Sequence, residues 1–337
     1  MKRHAIIIDA PKQVRLIEEN LPDSPLKPHE CLIETNVSMI SPGTELSRAF
    51  GLKQGASYPV YPGYCSVGIV QAVGSSVTAC AVGDRVLFSG PHASLQIYDN
   101  TRSDGGVLYR LDPRLSDEEG AFLMMGWIAM NGILHADVKL TDTVAIYGLG
   151  NLGLVLALLY MSMGVKVIGL DPVKERAQTA RRAGLVHIVD EAPSQQVPAV
   201  MALTNGKGAD IVVDATGMSA AIVNAIASAA KHGQVILLGS PREAYVTDIT
   251  PTLNAIHMKL LKVIGALNRG FPYDEQPGSR LSIHKGLDTL SELLINKTLD
   301  IDWFITHRIA PRDIWSAYDA LMNDKAHTQG VIIRWKS

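Results

Sequence analysis

The segment Thr143-Val-Ala-Ile-Tyr-Gly-Leu-Gly-Asn-Leu-Gly153 constrains this chain more than any other stretch. A short β-branched run, Thr143 to Ile146, stops at Gly148, Gly150 and Gly153, and an apolar helical stretch begins at once. Gly148 permits a tight turn, Gly150 lets a backbone approach a pyrophosphate, and Gly153 lets helix and strand pack closely. Asn151 and Leu152 then offer backbone N–H groups where the helix dipole is positive. A second strand, Val165 to Leu170, ends at Asp171, eighteen residues after Gly153, where a carboxylate can accept bonds from both adenosine ribose hydroxyls. Strand, glycines, helix and acid together read as a dinucleotide site. Asp171 would repel a 2′-phosphate, so NAD is favoured over NADP.

Around this unit, strands and helices alternate. Val144–Tyr147, Val165–Leu170, His187–Val189, Ile211–Asp214, Val235–Leu238 and Leu261–Leu267 are continuous apolar runs, as expected for a parallel sheet covered on both faces. Thr216 and Gly239 follow the fourth and fifth strands, where an open sheet binds ligands. Leu267 and Asn268 would close the nicotinamide side. Arg176 lies one turn beyond Asp171 and could cover the adenine or simply face solvent.

Residues 1 to about 118 read differently, as short strands (Ala5–Ile8, Cys31–Val37, Val67–Val73, Arg85–Phe88, Val107–Leu111) between Gly and Pro clusters. Ser116 and Glu119 form a capping-box pattern opening a helix to His135. Residues 271–337 hold two helices, Ser282–Leu294 and Pro311–Met322, and a strand, Val331–Trp335, that returns to the first domain. The expected fold is therefore α/β in two domains: a β-rich domain of residues 1–120 and 271–337, and a doubly wound parallel sheet of residues 121–270.

With 337 residues, 47% hydrophobic and 19% charged, the chain suits two soluble cores. A net charge of −2 with dispersed basic residues argues against nucleic acid, and no run of eighteen apolar residues suggests a membrane span. Asp9 interrupts the only apolar run near the start, so no signal core is expected. Cys31, Cys65 and Cys80 cannot make a disulfide framework, so a reduced, cytoplasmic setting is expected.

The landmarks Ser41-Pro-Gly-Thr-Glu45, Tyr61-Pro-Gly-Tyr-Cys-Ser-Val-Gly68, Val82-Gly-Asp-Arg-Val86, Val213-Asp-Ala-Thr-Gly217 and Ile305-Thr-His-Arg308 resemble the medium-chain dehydrogenase/reductase superfamily along essentially the whole chain. That superfamily includes the zinc alcohol and polyol dehydrogenases. The resemblance implies a GroES-like catalytic domain beside a Rossmann domain. The Ser-Pro-Gly-Thr-Glu variant is most similar to a sub-branch with bacteriochlorophyllide dehydrogenase and sugar or cyclitol oxidoreductases.

The departures from the family pattern fall at the metal. Where zinc members carry Cys-Gly-Thr-Asp, this chain has Ser41 or Pro42; where they carry Gly-His-Glu, it reads Gly63-Tyr64-Cys65. A further ligand position falls near Met125. Three N, S or carboxylate ligands are needed, so no catalytic zinc is expected, and no cysteine follows Cys80 to build a structural zinc lobe. Without a metal, side chains must steady the alkoxide. By resemblance, Thr44 relays the substrate proton, or is only a turn hydroxyl. Ser41 stands at the vacated ligand position and can bond a substrate hydroxyl. Tyr64 is a general acid or a filler of volume. His92 is an acid/base candidate near the cleft, or a solvent-facing loop histidine. Glu45 orients a neighbour, and Cys65 is a small packed residue. Met124, Met125 and Trp127 are core first and substrate wall second, and Asn131 is a polar cleft candidate. His307 and Arg308 look like packing and turn residues.

The expected activity is NAD-dependent, zinc-independent interconversion of a secondary alcohol and ketone on a hydroxyl-rich small molecule such as a sugar, glycoside or cyclitol. Its rivals are a zinc-free quinone or enoyl reductase, and a catalytically inactive NAD(H)-binding sensor. A homodimer through the Leu261–Leu267 edge, or a homotetramer, is the expected assembly.

Overall fold

The computed structural model describes all residues except 53–54, 102–105, 242–243, 269, 326 and 337. They divide into two compact units, 1–125 with 271–337, and 126–270.

The first unit begins with strands β1 (Lys2–Ala10), β2 (Gln13–Asn20) and β3 (Glu30–Met39). Helix α1 (Pro42–Ala49) follows, then β4 (Ser66–Val73), β5 (Arg85–Phe88), β6 (Leu95–Asp99) and β7 (Leu108–Arg110). Helix α2 (Asp117–Leu134) opens on the expected capping box: Glu119 Oε2 accepts from Ser116 N at 2.8 Å, and Ser116 Oγ accepts from Glu119 N at 3.2 Å.

Next come β8 (Thr143–Tyr147), α3 (Asn151–Ser162), β9 (Lys166–Leu170), α4 (Lys174–Arg182) and β10 (His187–Val189). The second unit continues with α5 (Pro193–Leu203), β11 (Ala209–Asp214), α6 (Ser219–Ser228), β12 (Ala229–Leu237), α7 (Thr250–Lys259) and β13 (Lys262–Gly265). Its six strands pair in parallel in the order β10-β9-β8-β11-β12-β13. The order reverses direction between β8 and β11, which opens a crevice at their carboxyl ends. Ala145, Tyr147, Ile168, Val212 and Val235 form the core on one face, and all are buried. β13 is the edge strand and is shorter and more exposed than its sequence suggested; Val263 is 41% exposed.

The chain then returns to the first unit through α8 (Ile283–Ile295), β14 (Ile305–Ile309), α9 (Ile314–Asn323) and β15 (Gly330–Arg334). β15 pairs antiparallel with β3, within a seven-stranded sheet that runs β14-β15-β3-β4-β5-β7 and carries β6 against β3. A core of Ile6, Ile8, Ile40, Leu46, Ile314, Tyr318, Val331 and Ile333 joins the beginning of the unit to its returning segment. Arg308 and Arg334 both bond Glu118, at 2.7 and 2.9 Å, across the same join.

Several elements differ from the sequence reading. Ser41-Pro-Gly-Thr-Glu45 is helical from Pro42 onward rather than a turn: proline at the first helical position is already set for the helix, and Glu45 sits in its first turn. Ile305–Ile309 is a strand, not a turn, and the Pro311 helix begins with one 3-10 turn before α9. The sequence reading lacks β2, whose apolar residues are only half-covered, and β6, a five-residue strand whose one buried apolar residue is Tyr98. Among the described residues, no helix is long and apolar enough to cross a membrane. The three cysteines are buried and free.

Candidate active site

The second unit carries the candidate dinucleotide cradle. Gly148, at φ +92°, turns the chain out of β8, and a Cβ on Gly153 would overlap the Gly148 carbonyl. A Cβ on Gly150 would meet nothing closer than the Arg176 guanidinium at 3.9 Å, so that side is open. No side chain caps α3 at Gly150, and Asn151 and Leu152 form its first turn. Its amide dipoles face the opening, as an anion site requires.

Asp171 is buried, 2% exposed, at the end of β9. Its Oδ2 accepts from Leu149 N at 2.9 Å and from Arg176 Nη1 at 3.4 Å, and its Oδ1 accepts from Val173 N at 2.9 Å. The glycine turn, the acid and Arg176 are therefore one assembly. Thr216 lies against Gly148, and Gly239 packs on Gly217. Asp214 organises this edge by accepting from Thr216 N and Gly217 N, each at 3.0 Å. Leu267 stands past the end of β13 with 64% exposure. These residues fit a dinucleotide: the turn is packed tightly at Gly148 and Gly153, is open at Gly150 where the pyrophosphate would pass, and has an acceptor where a ribose would lie. Asn131 is not a polar wall group; it is fully buried on α2, its amide donating to the Trp127 carbonyl at 2.7 Å.

The first unit holds the other candidates. Ser41 begins α1 in an extended conformation, and its hydroxyl bonds the Tyr64 hydroxyl instead of capping the helix. The cap role falls to Glu45, one turn on, whose Oε1 accepts from Ser41 N at 2.7 Å. Thr44, exposed in the first turn of α1, lies near enough to the Tyr64 phenol to favour loss of its proton. Ser41 and Tyr64 thus form a bonded hydroxyl pair with Thr44 beside it. Burial pushes the Tyr64 phenol above its ordinary range, and the neighbouring Cys65 and Glu45 act in the same direction; the bond with Ser41 and the nearby Thr44 hydroxyl oppose it. Tyr64 accordingly stays protonated near neutral pH and is a hydrogen-bond donor.

His92 is not a solvent-facing loop residue. It is completely buried, with Nε2 at 2.9 Å from Glu45 Oε2 and Nδ1 at 2.8 Å from Ser38 Oγ. Both ring nitrogens are committed, which places His92 behind the hydroxyl cluster and not within reach of a substrate. The chain of bonds extends to Trp335, whose Nε1–H donates to Ser38 Oγ at 3.0 Å, and to Tyr318, whose hydroxyl donates to Glu45 Oε2 at 2.6 Å. Ser38, Tyr318 and Trp335 escaped sequence reasoning because nothing in their spacing links them. Gly63, at φ +106°, lies against His92; a Cβ there would sit 2.7 Å from His92 N and 2.9 Å from its ring.

The donors around Tyr64 do not fit a catalytic zinc. Ser41 and Tyr64 offer hydroxyls, and Glu45 already accepts three bonds. Cys65 is wholly buried, and that burial, with the Glu45 charge, pushes its thiol well up. Zinc needs thiolate, imidazole or carboxylate in a convergent set of three. Among the described residues, no group of three or more His, Cys, Asp or Glu could hold a metal ion.

Two family models match this chain: "Zinc-binding dehydrogenase" over residues 151–281, and "Alcohol dehydrogenase GroES-like domain" over residues 27–104. The chain is 26% identical over 264 residues to D-guloside 3-dehydrogenase of Shigella flexneri, covering 75% of this chain and 72% of that protein. A stretch of 135 residues is 36% identical to the uncharacterized zinc-type alcohol dehydrogenase-like protein YphC of Escherichia coli (strain K12); it covers 39% of this chain and 38% of that protein. The crystal structure of galactitol-1-phosphate dehydrogenase from Escherichia coli shares the fold, with a TM-score of 0.84 and 20% identity over 98% of this chain and 99% of that one. With one profile on each unit and the fold matched along its length, the chain belongs to the medium-chain dehydrogenase/reductase superfamily of oxidoreductases.

Proposed function

We propose that this protein interconverts a secondary alcohol and a ketone on a hydroxyl-rich small molecule, using NAD and no zinc. The observation that carries the reading is the Ser41–Tyr64–Thr44 hydroxyl cluster, which occupies motif positions where zinc members of the family place their ligands and proton relay. Asp171 supports NAD, because its buried carboxylate suits ribose hydroxyls and opposes a 2′-phosphate. The likeness to D-guloside 3-dehydrogenase supports a sugar-like substrate.

When bound, the nicotinamide supplies or accepts the hydride. The chain's own residues handle the oxygen. On reduction, carbon gains a hydride and the carbonyl oxygen gains a proton. Tyr64, kept protonated by its surroundings, donates a hydrogen bond to that oxygen, and Ser41 and Thr44 share in stabilising its charge. On oxidation the Tyr64 oxygen takes the substrate hydroxyl proton as the phenol's own proton leaves toward water on the side of the exposed Thr44, so every hydroxyl ends protonated; on reduction the relay runs in reverse and supplies the alkoxide with its proton. The cradle holds the pyrophosphate through the Gly148–Gly153 turn and α3, and the adenosine through Asp171 and Arg176.

The test is an oxidation screen with NAD⁺ over sugars, glycosides, alditols and inositols, on protein whose zinc content is measured in parallel. Turnover by zinc-free protein supports the reading. Activity that appears only with stoichiometric zinc refutes it. Reduction of quinones or enones alone favours the reductase alternative. Tight NADH binding with silence across the panel favours a sensor.

A dimer through the β13 edge also belongs to this reading. Among the described residues no strand pairs with the outer side of the edge strand, and Leu253, Met258, Leu260 and Val263 are exposed. A second copy pairing there would cover an edge that otherwise invites aggregation. Three buried, free cysteines go with a reduced, cytoplasmic setting.

A further inference from the structure

We propose that Glu45 and His92 are positioning residues: the buried Glu45–His92–Ser38 chain holds Ser41, and through it Tyr64, in the geometry that a metal ion would otherwise impose. The proposal rests on the reading of Ser41 and Tyr64 as the groups that face the substrate oxygen.

The bonds form one connected chain. Trp335 Nε1–H can only donate, so Ser38 Oγ accepts from it. Ser38 Oγ, which has a second lone pair and its own proton, also bonds His92 Nδ1 at 2.8 Å. An ionised Glu45 can only accept, so His92 Nε2 carries a hydrogen and donates to Glu45 Oε2 at 2.9 Å. Tyr318 donates to the same oxygen, and Ser41 N donates to the other. Every member has a partner, and the members come from β3, α1, α9, the segment after β5 and the residue after β15.

Two features make this more than packing. The Ser41 backbone N–H is fixed by Glu45, while the Ser41 side chain bonds Tyr64, so movement of the carboxylate moves the hydroxyl pair. His92 also presses its ring and its own N–H against Gly63, the residue before Tyr64; His92 N donates to Pro62 O at 2.7 Å. Both residues of the pair are thus held from behind by one buried acid and one buried imidazole. Glu45 and Cys65 are the ionisable groups beside the Tyr64 phenol, Ser41 is its hydrogen-bond partner, and the Thr44 hydroxyl is nearby. Removing the Glu45 charge should therefore change how Tyr64 holds its proton.

The experiment uses the full chain with NADH bound, carrying 13Cζ-labelled tyrosine, with the Tyr64 signal assigned by its loss in Tyr64→Phe. Glu45→Gln keeps the shape and removes the charge. The expected result is a displaced Tyr64 signal that begins to titrate at lower pH than in the parent. NADH affinity should stay within about twofold, since the cradle is untouched. With a substrate from the panel above, kcat should fall at least about tenfold, as loss of orientation at a reacting group does, and KM for NADH should hold. An unchanged Tyr64 signal and titration in Glu45→Gln overturns the proposal. So does unchanged kcat in a parent that turns over. If Glu45→Gln does not fold, Tyr318→Phe, which removes one donor to Glu45, is read in the same way. A parent that binds NADH but turns over nothing sinks the functional reading alone; the Tyr64 signal still decides the positioning claim.

Discussion

Replacing Asp171 by asparagine isolates the charge proposed to select NAD over NADP. The carboxylate accepts from Leu149 N, Val173 N and Arg176 at 2.9, 2.9 and 3.4 Å, and is nearly sealed from water. A 2′-phosphate adds roughly −1.5 to −2 charges. At a separation of about 5 Å and an effective dielectric of about 20, each unit charge pair costs about 3 kcal/mol. Arg176, with a side chain 25% exposed, offsets part of that. A net preference of about 2–3 kcal/mol, or roughly a hundredfold for NADH over NADPH, is expected in the parent. Asparagine removes the repulsion but must turn its NH₂ toward one of the two backbone N–H groups, leaving an unsatisfied donor at a cost of about 1–3 kcal/mol. In Asp171→Asn, NADH should therefore bind about tenfold weaker, while NADPH gains enough to bring the two within about threefold. Titration of each reduced cofactor by fluorescence energy transfer from protein tryptophan measures both constants. Equal affinities in the parent, or an NADH:NADPH ratio that asparagine leaves unchanged, would refute the assignment of Asp171.

Gly63→Ala should cost at least about 2 kcal/mol, from positive φ and from overlap with His92; urea unfolding followed by a first-unit tryptophan reports it. Alkaline stability has a definite sign. Burial pushes the Tyr109 and Tyr147 phenols up to about 12, so the fold keeps protons that the unfolded chain loses near 10. That stability is full below about pH 10 and is lost as pH rises through about 12, roughly 3 kcal/mol for Tyr147 alone. Urea midpoints at pH 8 and 11 should show the drop, and Tyr147→Phe should blunt it. Val263→Lys places a charge on the exposed edge strand and should yield monomers by sedimentation if the edge pairs two copies. A chain stopped after residue 329 loses β15 and Trp335; it should still bind NADH but show first-unit amides exchanging freely with solvent.

The cradle was legible because its chemistry is local. Gly148, Gly150 and Gly153 fall within six residues, and their spacing encodes a turn, an open approach and a tight contact. The parallel strands were legible because burial on both faces leaves continuous apolar runs. The catalytic half was legible only in part. Ser41, Thr44 and Tyr64 lie on motif positions, and the structure brings them together. His92 lies in a Pro-His-Ala-Ser stretch that reads as a loop, yet its ring fills a space bounded by Ser38, Glu45 and Gly63. Nothing in sequence spacing relates residue 92 to residues 318 and 335, because β15 and α9 reach that space only after the sheet has closed. Ser41-Pro-Gly-Thr-Glu45 misled for the opposite reason: proline and glycine signal a turn in isolation, but at the first positions of a helix both are tolerated.

The first unit draws its sheet from both sides of the inserted nucleotide-binding unit, so its assembly has an order. While the chain is being synthesised, residues 126–270 are contiguous and can close their sheet as soon as they emerge. Ser38 must wait for Trp335, and Glu45 for Tyr318, before those bonds exist. A newborn chain can thus close the unit proposed to hold the dinucleotide well before the buried bonds behind Ser41 and Tyr64 are complete.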